Sequence, residues 1–479
     1  MLSEAPTANP VTSPPLTTVA TVVLAAGMGT RMRSKLPKVL HPLGGRPMVT
    51  YALRAAAAVD SIATVVVVGH GAEQVRETLG PDYAYTEQSP QRGTGHAVLL
   101  ALPHVPDDAR AVLVLYGDTP LITAETVRAL VATHITSRAR VTLLTAHVAD
   151  PAAYGRIVRD GAGRVTGIVE AKVATDAERA ITEINSGPCC FDAAWLRATL
   201  PTVPPSATGE IYLTDLVALA LQTEGDASGI GSLPDTRSWP VAALVIDESE
   251  AAGVNDRVQL AQAEAVLRQR TLTRLMRSGV TITDPATTSI DDTVTVAADT
   301  VIAPGCVLMG QTTIGADCTI GPYALIRDSM IGDRCRVIAS TLDGATMHDD
   351  TDCGPYSRLR GGAVIEHGVH IGNFAEVKNS TIGAYTAMGH FSYIGDATVG
   401  AHVNIGAGTI TANYDGTPEK KRTEIGDDAF IGSGTVLRAP VRVGEKAVTG
   451  GQSFVNRDVP AGAKVAGVPA RPLPPKPTP

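Results

Sequence analysis

At 479 residues the chain is too long for a single hydrophobic core, and it predicts two or three domains. Its net charge of −8 lacks the basic footprint that nucleic-acid binding requires, so an anionic substrate must be held by local Lys and Arg. No run approaches the ~18 apolar residues of a membrane helix, which argues against membrane association and predicts a cytoplasmic protein. The cysteines Cys189, Cys190, Cys306, Cys318, Cys335 and Cys353 form no C-x-x-C pair. Reduced thiols are therefore expected, without a zinc site or disulfide framework. The start, residues 1–18, is rich in Pro, Thr and Ser and has neither a basic region nor an apolar run. It is expected to be a disordered extension and not a secretory signal.

From Val19 onward, short apolar runs alternate with helical segments. Val19–Ala25, Thr64–Val68, Ala111–Tyr116 and Val141–Ala146 read as strands; Pro47–Val59, Ala72–Leu79 and Thr123–Thr136 read as helices. This alternation predicts an α/β domain with a mostly parallel sheet, whose ligands sit at the carboxyl ends of the strands. Asp256–Arg277 is free of Gly and Pro and reads as one long helix. Its expected apolar stripe is Val258, Ala261, Ala265, Leu272, Leu275 and Met276. Its expected role is to join two domains; the alternative is a core helix of the first.

Beyond that helix the period changes. Ile290, Val296, Ile302, Leu308, Ile314, Ile320 and Ile326 stand six residues apart, and the series resumes after a five-residue step at Ile331. It recurs at Ile365, Ile371 and Val377, at Ile382, Met388 and Ile394, and at Ile425, Ile431, Leu437 and Val443. A six-residue period marks a hexapeptide β-helix, each hexapeptide forming one side of a coil. The aliphatic residue points inward, and Gly or another small residue takes the corner. Roughly ten coils fit between Thr281 and Val455, a prism on the order of 45 Å long at the ~4.8 Å strand spacing. Cys306, Cys318 and Cys335 fall at small-residue positions of this scheme. The Pro-rich tail, residues 469–479, is expected to be disordered or extended.

Two groups of residues carry chemistry. Leu24–Met32 (LAAGMGTRM) is a Gly-rich turn after a buried strand, offering backbone N–H groups to an anion, with Arg31 and Lys38 supplying positive charge. It is neither G-x-G-x-x-G nor a P-loop. Gln88 and the segment Gln91–His96 form a second polar loop, and Tyr116-Gly117-Asp118 ends a buried strand, where a carboxylate suits Mg²⁺.

Together these segments resemble the sugar-1-phosphate nucleotidyltransferases. Tyr154–Ile157, Gly167–Glu170, Glu183–Gly187, Gly209–Asp215 and Gly253–Asn255 narrow the resemblance. It becomes one to the bacterial bifunctional N-acetylglucosamine-1-phosphate uridylyltransferase/glucosamine-1-phosphate N-acetyltransferase family. The resemblance implies that Leu24, Ala25, Ala26, Gly27, Gln88, Gly93 and Thr94 hold the nucleotide, with Tyr116 and Gly117 beside it. It implies that Lys38 binds phosphate with Arg31 assisting, that Gly155, Glu170 and Asn185 hold the N-acetyl sugar, and that Asp118 and Asn255 bind Mg²⁺.

The β-helix carries the second group. Arg358–Arg360, Asn373–Lys378, Gly389–Asp396, Asn404–Gly408 and Asn413–Gly416 resemble the acetyltransferase motifs of the same family, and Asn413–Lys421 breaks the hexapeptide series as an outward loop would. Acetyl transfer to an amine needs a base, and histidine suits that task near neutral pH. The resemblance gives that role to His390. It further implies that Arg360 and Lys378 hold the sugar phosphate and that Tyr393, Asn404 and Asn413 orient the sugar. Ala407, Asn413, Tyr414, Ser433, Gly451 and Arg471 would line the acetyl-CoA site.

Three positions depart from the family pattern. Met28 stands where Lys is frequent, Ser186 where Thr is common, and Gly467 where an Arg contacts CoA, with Arg471 a candidate substitute. The expected architecture is a Rossmann-like α/β nucleotidyltransferase domain (19–253), a linker helix (254–278) and a left-handed parallel β-helix (279–468). The expected activity is acetyl transfer from acetyl-CoA to glucosamine-1-phosphate, then Mg²⁺-dependent uridylyl transfer from UTP to N-acetylglucosamine-1-phosphate, in a homotrimer. The alternative is a monofunctional nucleotidyltransferase with a regulatory or oligomerising β-helix.

Overall fold

The computed structural model describes residues 18–222 and 239–473, and contacts divide the chain into two units that part between Val266 and Leu267. The extension expected over residues 1–18 lies outside the described residues except for Thr18, whose carbonyl accepts the Arg110 N–H at 2.8 Å.

In the first unit the strand Val19–Ala25 is almost wholly buried, as an unbroken apolar run in a parallel sheet requires. Its side chains alternate between two cores, Ala20 and Val22 in one, Val19, Val23 and Ala25 in the other. The sheet runs in the order Val241–Ile246, Val141–His147, Glu183–Asp192, Ala111–Tyr116, Val19–Ala25, Ala63–Val68, Ala84–Glu87. Neighbours on this path are parallel except around Glu183–Asp192, which is antiparallel to both of its neighbours. The chain fills one side of Val19–Ala25 first, then returns to Ala111–Tyr116 on the other. These two strands end level, with Leu24 opposite Tyr116. Such a reversal of winding opens a crevice at the carboxyl ends of the strands.

The expected helices stand at Val49–Ala57, Ala72–Leu79 and Ala124–Ser137. The first begins later than expected because Arg46–Pro47 pairs with Pro42–Leu43 in a small hairpin. The long helix runs from Arg257 to Arg277, with the Asp256 carboxylate accepting the Val258 and Gln259 N–H groups at 2.9 Å. Its expected apolar stripe needs correction. Val258, Ala261, Ala265 and Met276 are exposed, whereas Ala263, Leu267, Thr271, Leu272 and Leu275 are buried. The inward face follows the i, i+4 row through Ala263, Leu267, Thr271 and Leu275, and the expected stripe meets it only in the last turns. Among the described residues no helix is long and apolar enough to cross a membrane.

The second unit is the parallel β-helix. Three sheets of 12, 10 and 9 strands form its sides, parallel except for the last strand of the first, each parallel strand pairing with the one a coil further on, as Ile302 pairs with Ile320 and Ile320 with Val337. The periodic aliphatic residues form a single core, with only Val296 partly exposed. The five-residue step shortens one corner without disturbing register, since Ile331 still pairs with Ile314. All six cysteines are buried and free.

The glycine that follows the aliphatic residue has a different reason from the one expected. Left-handed backbone occurs two residues later, mostly at residues other than glycine, such as Asp317 after Ile314-Gly315. At Gly372, which follows Ile371, a Cβ would lie 2.0 Å from the Gly389 carbonyl oxygen of the next coil. The position is therefore glycine because two backbones touch there. A second correction concerns the tail. Arg471–Pro472 is a short strand antiparallel to Lys464–Ala466, so order extends into the stretch expected to be disordered. Proline fits because an outermost strand can spare an N–H. Residues 474–479 lie outside the described residues.

The stacking contact makes a direct prediction. Gly372→Ala should lower stability by about 1–3 kcal/mol, since backbone cannot move aside as a side chain can. Gly361→Ala, whose new Cβ would meet nothing closer than 4.0 Å, should leave it nearly unchanged. Thermal unfolding of the two full-length variants tests the difference.

Candidate functional site

Two residue sets assemble, one in each unit. In the first, the Gly-rich turn leaves Val19–Ala25 while Gly117-Asp118 leaves Ala111–Tyr116 at the same end of the sheet, and the Gly117 N–H donates to the Leu24 carbonyl at 2.9 Å. A Cβ on Gly27 would meet nothing within 4 Å, so the turn faces open space. Lys38 begins a short 3-10 turn, Lys38–Leu40, and its ammonium pairs with the Asp118 carboxylate and lies 3.2 Å from Asn255 Oδ1. Arg31 donates to the same Asn255 oxygen at 2.9 Å. Asn255 is itself fixed by the Gln259 side chain, which accepts its N–H at 2.8 Å. Four expected residues, Arg31, Lys38, Asp118 and Asn255, thus form one charged cluster.

The second polar loop closes on the Gly209–Asp215 segment. The Gly95 N–H donates to the Ile211 carbonyl and the Leu213 N–H to Thr94 Oγ1, at 2.8 and 3.1 Å. Gln88 is buried and donates to the Gly93 carbonyl at 2.8 Å. Gln91 reaches across to the carbonyl of Ala26, joining this loop to the Gly-rich turn. Burial pushes the Tyr116 hydroxyl far above its ordinary range, so it stays neutral beside Thr94.

The residues expected at the sugar also converge. The Asn185 N–H donates to the Gly155 carbonyl at 2.9 Å, and a Cβ on Gly155 would come 3.7 Å from Glu170 Oε1. A bulge between Asn185, which pairs with Thr145, and Cys189 takes residues 186–188 off the ladder. Ser186 keeps the function of a hydroxyl, donating to the Leu144 carbonyl at 2.8 Å. Tyr154 Oη accepts the Gly253 N–H at 3.2 Å and so links the sugar residues to the Asn255 segment. Met28 is exposed and contributes no charge.

On the β-helix, Arg360, Lys378 and Tyr393 share one side of the prism. The strands Arg358–Leu359, Ala375–Lys378 and Ser392–Gly395 are stacked with Arg358, Glu376 and Tyr393 in register. Arg360 is paired with Glu376 at 2.7 Å. Asn413 lies at the foot of the outward loop, which closes where the Lys421 N–H donates to the Asn413 carbonyl at 3.0 Å. Asn404 belongs to the adjoining side, in register with Ala387, and is not brought to Tyr393 within one chain.

His390 stands at the corner between these two sides. It is exposed, and no protein group among the described residues bonds its ring. Strand register places Ala407, Ser433 and Gly451 above it on successive coils, because Ala387, Asn404, Phe430 and Val448 pair in turn. The corner is therefore a column of small side chains headed by a histidine. The same register continues to Gly467, and Arg471, exposed, pairs with Ala466. Tyr414 is exposed on the outward loop, with Lys420 over its ring at 4.7 Å.

Gln91, Tyr154, Glu376 and Asp396 stand within the sequence motifs but have no role of their own there, and Gln259 and Asn379 lie outside every motif. Gln259 had a readable signal, a polar side chain in the first turn after the Asn255-Asp256 helix start. The others act across strands, where sequence spacing carries no sign of contact.

Domain models for the MobA-like NTP transferase family and for the bacterial transferase hexapeptide repeat match residues 21–193 and 293–328. Proteins described as bifunctional protein GlmU are similar over nearly the whole length. The one from Heliobacterium modesticaldum is 47% identical, over 92% of this chain and 94% of its own. Those from Alkalilimnicola ehrlichii and Geobacillus thermodenitrificans are 48% and 46% identical, over 92% and 93% of this chain and 92% and 94% of theirs. With identity at this level sustained from the Lys38 cluster through the His390 column, the chain belongs to the family of the bifunctional GlmU proteins.

Proposed function

We propose that each unit carries one of two consecutive steps of UDP-N-acetylglucosamine synthesis. The β-helix transfers acetyl from acetyl-CoA to glucosamine-1-phosphate, and the α/β unit transfers uridylyl from UTP to the N-acetylglucosamine-1-phosphate formed. The observation that carries this reading is that both sets of polar residues assemble in one chain, each within its own unit. A β-helix that only regulated or oligomerised would have no use for an exposed, unbonded His390 heading a column of small residues.

In uridylyl transfer a phosphate oxygen of the sugar attacks the α-phosphorus of UTP and pyrophosphate leaves. Both reactants are anions, so the work is alignment and charge neutralisation. Arg31 and Lys38 supply fixed positive charge, and the backbone N–H groups of the Gly-rich turn and Gly93–Thr94 receive the nucleotide. Asp118 and Asn255 suit Mg²⁺: both offer hard oxygens, phosphates complete such a shell, and the two already share the Lys38 ammonium. Bound there, Mg²⁺ would neutralise charge on the phosphates. Gly155, Glu170 and Asn185 hold the N-acetyl sugar.

In acetyl transfer a protonated amine cannot attack the thioester. His390 takes a proton from the amine as nitrogen bonds to the acetyl carbon, and as the carbon–sulfur bond breaks that proton passes to the departing thiolate, so CoA leaves as the thiol. Arg360 and Lys378 hold the sugar phosphate, while Tyr393 and Asn413 orient the ring. The column Ala407, Ser433, Gly451 gives the acetyl-CoA arm a shallow track, flanked by Tyr414 and Arg471. Asn404, on the adjoining side of the prism, reaches a sugar on Tyr393 from a second copy of the chain, which supports a homotrimer with sites between prisms. Dependence on UTP and acetyl-CoA suits the cytoplasm.

Two separate assays test the division of labour: pyrophosphate release from UTP with N-acetylglucosamine-1-phosphate supplied directly, and free CoA from acetyl-CoA with glucosamine-1-phosphate. Lys38→Ala should cut pyrophosphate release by about 10²–10³-fold and leave CoA release unchanged. His390→Ala should do the opposite, cutting CoA release by about 10²–10⁴-fold. Loss of both activities in either variant would contradict the assignment. Chelation with EDTA should stop pyrophosphate release alone, and added Mg²⁺ should restore it.

A further inference from the structure

Asp396 is a carboxylate almost closed off from solvent, 5% exposed, on the side of the prism that carries Tyr393. Two side-chain amides donate to it, Asn379 Nδ2 at 2.6 Å and Asn413 Nδ2. We propose that Asp396 is a positioning residue of acetyl transfer, turning the Asn413 amide so that its oxygen faces the amino sugar. The inference rests on the acetyl-transfer reading of the β-helix.

The argument is one of donors and acceptors. An ionised carboxylate only accepts, so each amide must turn its NH₂ end toward it. The second amide hydrogen of Asn413 points toward Tyr393 Oη, 3.4 Å away. Both hydrogens are then committed, and no donor among the described residues reaches Asn413 Oδ1. That oxygen is left to accept from an amine or hydroxyl. The Tyr393 hydroxyl, approached by Asn413 as an acceptor, keeps its own proton to give outward. A carboxylate beneath the site thereby sets the polarity of two groups above it.

The backbone of Asp396 adds a second hold. Its N–H donates to the Lys378 carbonyl at 3.1 Å, and its carbonyl accepts the Thr423 N–H at 3.2 Å, where the outward loop returns. The side chain thus fixes the loop where it leaves, at Asn413, and the main chain fixes it where it returns. Asp396 has φ 50°, a left-handed conformation that Asp and Asn adopt more readily than most residues. Asp396→Asn therefore keeps the backbone and the shape. It turns one of the two acceptor oxygens into an N–H donor, so Asn379 and Asn413 no longer both have to present nitrogen inward.

The test uses the full-length chain. Asp396→Asn should raise the KM for glucosamine-1-phosphate about tenfold or more, the loss of one oriented hydrogen bond to a substrate. The KM for acetyl-CoA, uridylyl transfer and the unfolding midpoint should not change. The double variant D396N/N413D rebuilds the contact in reverse, the new amide donating inward while a carboxylate oxygen faces the sugar, and should recover most of the loss. A D396N variant with wild-type KM for the amino sugar would overturn the proposal, as would equal effects on both substrates or failure of the double variant to recover. If the wild-type chain acetylates no amino sugar, the underlying reading and the proposal fall together, an outcome distinct from all of these.

Discussion

Coil-on-coil register in the β-helix is the constraint from which its chemistry follows. Backbones approach so closely where glycine follows an aliphatic position that a Cβ at Gly372 would meet the next coil at 2.0 Å. Coils packed this tightly cannot slip by a residue, because slippage would turn the aliphatic row outward. Positions one coil apart are therefore stacked, and His390, Ala407, Ser433 and Gly451 form a column through strand pairing alone. A shortened corner at Asp328-Ser329 and the loop after Asn413 leave the pairing on either side intact. The fold can thus vary what a corner carries without altering where the corner is.

The α/β unit solves a related problem with fewer residues. Its anion site needs two strands to end level, and Leu24 lies opposite Tyr116. The loops that follow bring Lys38 and Asp118 together across the crevice, and the Asn255 segment joins them where the Val254 N–H donates to the Asp118 carbonyl at 2.8 Å. The chain's overall charge is negative, so attraction for a nucleotide and a sugar phosphate is local. Within this cluster the Lys38 charge is already shared by Asp118 and Asn255. Both the cation and its acceptors are held ready for exchange with charged substrates.

Periodicity made the architecture legible. Continuous apolar runs marked the strands of the parallel sheet, and the six-residue spacing marked the β-helix, because burial repeats in both. The Lys38, Asp118 and His390 motifs were legible because each is a short run of unlike residues. Legibility failed where geometry, not composition, decides. The stripe on Arg257–Arg277 was misread because small and apolar residues occupy several faces of that helix, and the buried row includes Thr271. Glycines beside the aliphatic residues suggested tight corners, whereas their role is contact between coils. Asp396 stood at the end of the Gly389–Asp396 motif without a role, since its partners Asn379 and Asn413 come from neighbouring coils.

The Arg360–Glu376 pair bears on how a sugar phosphate is received. Both side chains are about one-third exposed, and an ion pair in that setting contributes only about 0–1 kcal/mol. It is a weak competitor for a phosphate dianion, which offers guanidinium a bidentate partner of higher charge. Lys378, in the adjacent coil, has no ion-pair partner among the described residues and on the proposed assignment would meet the same anion without first giving one up. On that assignment Glu376 would act less as a brake on binding than as a guide, holding the long Arg360 side chain near the phosphate position. Were the guanidinium to turn to phosphate, the released carboxylate would stand in register beside Tyr393, on the side of the prism to which the proposed reaction brings the amine.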